Sequence, residues 1–460
     1  MNNEFIEKIK SNGITAEIIN KVFERNINKL NYVKSKYERY KGAEVPIFKQ
    51  EPVRLGDFET GNNVYRIDDK IQNSVANSYD SDIVDTKVGY MYGVPIVYGY
   101  DQEDANFKEK LKNFNLRNLS EDLDSELGKL ATICGYAARL CYIDLEGNER
   151  IKNIKPWETI FFGDDISEPV YAMRYATDKD NNVKCEFYDE QNVYYFEGQN
   201  YSVKYIDQQP HMFEYVPLFG VKNNDELMGD SEKVYTLIDA YDKILSGAVS
   251  EIEAGRLAYL VLKGMGADKD TLDQLKKTGV FELIDERMDI KYLTKDVNDG
   301  MIMNVLTILD ANISKFAKTV NFSDDAFGGN SSGVAIRYKL MALENKSIVA
   351  ERKFKSALMY QFKVLFTAWK HRGFRLNEES YLDMFFTFTR NIPVNRLEEA
   401  QILTMLQGVV SEETRLSQST LIDDVDFEQE RLEEETLNYS STLLEVETDD
   451  NRTRRENSEL

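Results

Sequence analysis

The strongest constraint in this sequence is an uninterrupted helical pattern from Val334 to Arg372, ended by Gly373. Its apolar stripe runs through Tyr338, Met341, Ile348, Phe354, Leu358, Phe362, Leu365 and Trp369. Globular helices average about 10–14 residues, so a helix of this length is unusual. It is preceded by Asn321–Gly333 (NFSDDAFGGNSSG), whose small, polar and φ-permissive residues exclude helix and predict a mobile loop.

Two further amphipathic helices stand before that loop. Val234, Leu237, Ile238, Tyr241, Ile244, Leu245, Ala248, Val249 and Ile252 predict a helix to about Tyr259. Ile302, Val305, Leu306, Leu309, Ile313, Phe316 and Val320 predict another over 300–320. Between them lies a compact insert. It has Asp268 as N-cap of a short helix to Lys277, Gly279 as its stop, and strands at 280–283 and 290–293.

The first 230 residues read as one α+β body. Helical spacing covers 2–41, 73–92 and 119–138. Strands are expected at 96–100, 139–144, 159–162, 169–175, 184–188, 192–196 and 201–205, with polar turns such as 178–182 between them. Beyond the long helix come a strand at 382–388 and a helix over 396–406, with Asn395 as N-cap and Glu398 completing a capping box. Short helices follow to about 444, and from Glu445 the chain is polar enough to be disordered.

Composition removes most chemistry. Three cysteines (Cys134, Cys141, Cys185) lack CxxC spacing and sit among apolar neighbours, which suits reduced, buried thiols. His211 and His371 are the only histidines, so neither a zinc site nor a histidine acid/base pair is advertised. The glycine-rich segment 328–333 lacks the Lys-Ser/Thr of a phosphate-cradling loop, and Gly264-Met265-Gly266 lacks a third glycine. Acidic pairs at 164–165, 324–325 and 423–424 read as solvated surface in a chain with 80 Asp and Glu. Neither catalysis nor a cofactor or metal is expected. No apolar run is long enough to cross a membrane and the N-terminal residues lack a leader pattern, so a cytoplasmic protein is expected.

The formal net charge of −23 argues against a phosphate-clamping DNA binder, which gains affinity by displacing counterions with Lys and Arg. That charge is uneven. Residues 331–372 hold nine Lys or Arg against two Glu, whereas 421–460 hold fourteen Asp or Glu against four Arg.

The order helix, insert, helix, flexible loop, very long helix, on an α+β body, resembles portal proteins of tailed bacteriophages, particularly the family typified by phages of Gram-positive bacteria. Residues 81–96 (SDIVDTKVGYMYGVPI) are similar to that family's wing signature, and 391–414 are similar to its segment between wing and crown. The resemblance implies a helix-rich α+β portal fold with wing, stem, clip and crown, assembled as a ring. By position, 1–230 would be wing, 231–262 and 300–320 the stem helices, and 263–299 the clip. Residues 321–333 would be the tunnel loop, 334–393 the long wing helix and strand, 394–444 the crown, and 445–460 an acidic tail.

The resemblance further implies a homododecamer at one capsid vertex that serves DNA packaging, retention and ejection. Its implied partners are other copies of itself, double-stranded DNA held weakly and non-specifically, the terminase large subunit, a head–tail adaptor, and major capsid and scaffolding proteins. Its place would be the virion, after assembly in the host cytoplasm. Phe322, Ser323, Asp324, Asp325 and Phe327, with Gly328, Gly329 and Asn330, are expected on the loop facing DNA. Glu251, Glu253 and Asp310 are expected on the channel wall, and Arg352 and Lys353 at the contact between subunits. The alternative is another virion structural protein, such as a head–tail adaptor or capsid component. An enzyme lacks its motif, and a coiled-coil scaffold would not be interrupted by an insert and a glycine-rich loop.

Overall fold

The chain begins with two helices, α1 (Asn3–Asn12) and α2 (Ala16–Tyr40), the second opened by Thr15, whose hydroxyl accepts the Ile18 N–H at 3.4 Å. The structure is a computed structural model. It describes residues 2–49, 54–56, 63–65, 73–255, 259–263, 289–293, 299–320, 333–374, 376–377, 379–392 and 396–417, together with 419, 422, 425, 428–429 and 431–432. The chain divides into two units: residues 1–327 with 339–391, and residues 328–338 with 392–460.

In the first unit, the short pair β1 (Arg54–Gly56) and β2 (Asn63–Tyr65) precedes α3 (Tyr79–Tyr92) and β3 (Val97–Tyr100). Then come α4 (Ala105–Asn118), α5 (Ser120–Cys134), β4 (Tyr136–Ile143) and β5 (Glu149–Ile154). An antiparallel sheet follows, formed by β6 (Thr159–Phe162), β7 (Tyr171–Thr177), β8 (Asn182–Tyr188), β9 (Asn192–Gln199) and β10 (Ser202–Pro210) in sequential order. Its hairpins turn on aspartates: Asp178 accepts the N–H groups of Asp180 and Asn182, and Asp189 those of Gln191 and Asn192. One face of this sheet buries Phe162, Phe187 and Phe196 against Phe5, Ile19, Val22 and Phe23 of the first two helices.

Strand β11 (Leu218–Lys222) joins β4 and β5 in a second sheet. Next are α6 (Tyr235–Gly255), the pair β12 (Tyr259–Lys263) and β13 (Asp289–Leu293), and α7 (Asp299–Ala317). The long pattern folds as α8 (Gly333–His371), and β14 (Met384–Thr387) pairs with β3. Phe354, Phe362, Phe366 and Trp369 of α8 pack into an aromatic core with Tyr92, Phe107, Phe114, Phe219 and Phe386. The Phe385 ring lies over Gly99, where a Cβ would sit 1.9 Å from it. In the second unit, α9 (Arg396–Leu406) and α10 (Glu412–Leu416) follow, with the Ser411 hydroxyl accepting the Thr414 N–H at 3.3 Å.

Several expectations shift. The helix expected from Asn73 starts at Tyr79, because the N–H groups of Asn73, Val75 and Asn77 bond to distant side chains of α6 instead of to a local helical turn. Helix α5 stops at Cys134 rather than Ala138: Gly135 adopts φ +91°, and a Cβ there would meet the Leu227 carbonyl oxygen at 2.0 Å. Tyr259 lies on β12, not at the end of α6, and α7 ends at Ala317, with Lys318 left-handed at φ +54°. The strand expected at 382–388 is confined to Met384–Thr387 after a 3₁₀ turn at Ser380–Asp383. Helix α4 and strands β5 and β11 had no distinct signal. The insert's helix and its 280–283 strand, the 321–332 loop, Asn395 and the tail lie outside the described residues.

The cysteines are free and buried, and burial pushes Cys134 and Cys141 up to about 12, so both stay protonated. Asp164 accepts from Asn3, while Asp165 pairs with Lys222 at 3.1 Å, which makes that acidic pair a surface fastening.

A polar knot inside the aromatic core fixes α8 to the sheets. Fully buried Arg139 pairs with Asp124 at 2.7 Å and donates to Gln361 of α8 at 3.0 Å and to Asn153 at 3.1 Å; Tyr98 donates to Asp124 at 2.5 Å. Burial pushes the Asp124 carboxyl up, so the cation beside it decides whether a charge can remain there. Arg139→Met should therefore lower the unfolding free energy by about 3–5 kcal/mol in denaturant titration, because it strands Asp124. Arg139→Met combined with Asp124→Leu should recover part of that loss.

Candidate functional site

The paired helices α6 and α7 leave the body from a small apolar seat. Ile83 of α3, Val234 just before α6 and Ile238 in its first turn, and Ile313 and Ala317 at the end of α7 bury one another. Tyr79 packs edge-on against Tyr241 with ring centroids 5.3 Å apart, and its hydroxyl donates to Asp310 of α7 at 2.5 Å. Burial and that carboxylate raise the Tyr79 pKa, so the phenol keeps its proton.

One face of α6 carries Asp239, Asp242, Ser246, Ser250 and Glu253, three or four residues apart. Residues 73–77 run antiparallel along it. The Ser250 hydroxyl accepts the Asn73 N–H at 3.0 Å, Ser246 that of Val75 at 2.9 Å, and Asp242 that of Asn77 at 3.0 Å. Ser246 also donates back to the Val75 carbonyl, and Asn73 Nδ2 donates to Glu253 at 2.6 Å. Two extended residues advance about 6.6 Å and one helical turn about 5.4 Å, so every second amide finds the next turn. The strap thus satisfies its backbone without a sheet partner.

Charged pairs extend this fastening toward the body. Arg39 of α2 holds Asp80 of α3 at 2.9 Å and Asp239 of α6 at 2.7 Å, and stacks over Tyr235 at 4.1 Å. Burial raises the Asp80 carboxyl, whereas Arg39 stays charged because its two carboxylates outweigh its burial. Lys36 pairs with Glu232 at 2.7 Å, and Glu232 accepts the Gly229 N–H.

A second group ties in α8. Asp230 accepts from Lys87 of α3 at 3.2 Å and from Asn223 at 2.7 Å, and pairs with Lys346 of α8 at 2.8 Å. Burial pushes its carboxyl up, but the two ammonium groups outweigh burial and hold it at about 2. Arg390 similarly clasps Glu344 and Glu351 of α8 at 2.8 and 2.7 Å.

The residues expected on the channel wall have distinct surroundings. Glu253 is exposed and bonded to the strap, Glu251 is half-buried one position off that face, and Asp310 is held by Tyr79. Arg352 is exposed, while Lys353 pairs with Asp225 of its own chain at 2.6 Å. The residues expected at the loop, from Phe322 to Asn330, lie outside the described residues. Sequence reasoning missed Arg39, Lys87, Asp230 and Lys346, and the polar face of α6. The only available signal was the Asp242-x₃-Ser246-x₃-Ser250 spacing. Among the described residues no helix is long and apolar enough to cross a membrane, and no cluster of three or more potential metal-ligating side chains occurs.

Large apolar side chains are exposed along α7 and near the end of α6. Ile252, Met303, Ile308 and Phe316 are 66%, 61%, 59% and 55% exposed.

Comparison with known proteins places this architecture. The portal protein of Bacillus phage SPP1 is 24% identical over 397 residues, covering 81% of this chain and 78% of that protein. The portal protein of Clostridium phage phiCD119 is 25% identical over 404 residues, covering 80% and 86%. Among solved structures, a chain from the neck of an empty GTA particle, computed with C6 symmetry, aligns with TM-score 0.48 at 12% identity, over 75% of this chain and 90% of that one. Residues 19–441 match the model of the phage portal protein family, SPP1 Gp6-like, and the chain belongs to that family.

Proposed function

We propose that this protein is one subunit of a closed homo-oligomeric ring, a dodecamer on the family resemblance, set at one vertex of a phage capsid around a channel for double-stranded DNA. The observation that carries this is the exposed apolar surface of α6 and α7. Each Ile, Met or Phe side chain moved from water to a packed interface contributes about 1.5–3 kcal/mol, and a ring offers every copy such an interface. In that ring α6 and α7 are the stem, residues 263–299 the clip, 1–230 with 334–393 the wing, 394–444 the crown, and 445–460 a tail.

Glu251, Glu253 and Asp310 are the channel-wall candidates, Asp310 being oriented by Tyr79. The acidic balance supports a conduit, since each strong Lys or Arg contact to phosphate would create a well in which the duplex stalls. At the subunit contact Arg352 is the better candidate, because Lys353 already has Asp225. The clip and stem ends would meet the terminase motor during packaging and the head–tail adaptor afterwards, and the wing the capsid and scaffolding proteins.

Negative-stain images and mass measurement of the purified protein test this directly. Rings with a central hole are expected, and Ile308→Glu should shift the population to single subunits. A single subunit at every concentration, inside particles as well as in solution, would falsify the proposal. Compact particles without a hole would favour an adaptor or capsid role.

The segment 321–333 is proposed as the loop that touches DNA, with Phe322, Asp324, Asp325 and Phe327 in contact. Its position between two long helices supports this. Deleting residues 324–330 should leave rings intact while packaged or retained DNA falls. Unchanged packaging would show that the segment is only a connection.

A further inference from the structure

Lys346 joins the end of one helix to a buried carboxylate. Its Nζ donates to the Ala317 carbonyl at 2.9 Å, in the last turn of α7, and pairs with Asp230 at 2.8 Å. A cation at a helix C-terminus satisfies an orphan carbonyl and faces the negative end of the helix dipole. The Asp230 side holds a surplus of positive charge, because Lys87 and Lys346 share one carboxylate. Lys87 is fully buried, whereas the Lys346 side chain retains 15% exposure.

The consequences of departure differ accordingly. If Lys87 left, a buried ammonium would lose its only carboxylate, a costly state. If Lys346 left, Asp230 Oδ1 would keep Lys87 at 3.2 Å and Asn223 at 2.7 Å, so the carboxylate would still face a cation although its Oδ2 would lose its one partner among the described residues, and the freed ammonium could hydrate at the surface. Repulsion between the two ammonium groups would fall as well, since Lys346 is one of the influences that, after burial, lowers the Lys87 pKa. The end of α7 also carries signs of being held in place. Lys318 sits in the left-handed region at φ +54°, and the buried Thr319 hydroxyl has no hydrogen-bond partner.

We infer that Lys346 is a releasable latch: it clamps the last turn of α7 to α8 and can let go without stranding a buried charge. Helices α7 and α8 can then move relative to one another while Lys87–Asp230 keeps α3 joined to the segment leading into α6. The latch itself is a property of the single subunit. Its use, to let stem and long helix shift as DNA passes, rests on the channel proposed above.

Hydrogen exchange on the full-length protein, with Lys346→Met and Lys346→Arg, tests the latch independently of DNA. In Lys346→Met the amides of Ser314 to Ala317 should exchange about tenfold faster, the loss expected for one charged hydrogen bond. Amides of β4 and β8 should be unchanged, and Lys346→Arg should restore most of the protection. Unchanged exchange at 314–317, or faster exchange spread through β4 and β8, would overturn the latch; the second outcome would make Lys346 a structural pillar. Should Lys346→Met fail to fold, Lys346→Ala gives the same test. Selective loss of protection at 314–317 supports the latch, and none refutes it. Packaging assays with assembled Lys346→Met rings then test its use: altered DNA retention is expected, and wild-type retention would sever the latch from transport while leaving the exchange result standing.

Discussion

Two helices that project from a body need their lever arms fixed at one end, and here that is done by side chains accepting backbone amides. Residues 73–77 leave the helical path where Ser250, Ser246 and Asp242 take their N–H groups, and Asp242 and Ser246 of α6 are buried beneath them. The match between a two-residue extended repeat and one helical turn is close only over a few residues. It therefore fixes register: sliding the strap by one residue would leave buried Asp242 and Ser246 without their amides. Arg39 and Tyr79 then set the azimuth of the pair, one gripping Asp239 on α6 and the other Asp310 on α7.

The long helix, the paired helices and the five-stranded sheet were legible in sequence because each rests on a single period sustained over many residues. Boundaries were less so, and for identifiable causes. Periodicity around Val75 fits a helix until a partner captures its amides, a tertiary effect with no local trace. The run from 119 to 138 reads as one helix because Gly135 is the sole sign of the stop, and small residues continue beyond it. Helix α4 escaped notice because its buried positions, Phe107, Leu111 and Phe114, are few among charges. At the site, acids were singled out for charge alone, whereas their roles depend on which hydroxyl or amide the fold brings to them.

The basic segment shows how far charge counting can mislead. Its nine Lys and Arg between 331 and 372 stand against two Glu. Within the subunit, however, Lys346 pairs with Asp230, Lys353 with Asp225, Lys355 with Glu351, Lys363 with Glu168, and Arg372 with Glu149. Most of these pairs are partly exposed and contribute little individually. Their effect is cumulative: four of them tie this segment to the rest of the subunit, and together they occupy five of its nine cations.

That occupation matters for any surface meant to pass a duplex. A chain of net charge −23 repels phosphate at long range, but a single free Lys or Arg within a Debye length of about 8–10 Å could still trap it. Seating cations against internal carboxylates removes such traps without removing the packing their long stems provide. The same seating leaves one buried fastening of α8 shared, where two ammonium groups meet at Asp230, while Arg139 remains committed to Asp124 in the core. On the latch reading, commitment in the core and release at the end of α7 differ in the number of cations offered to Asp124 and to Asp230.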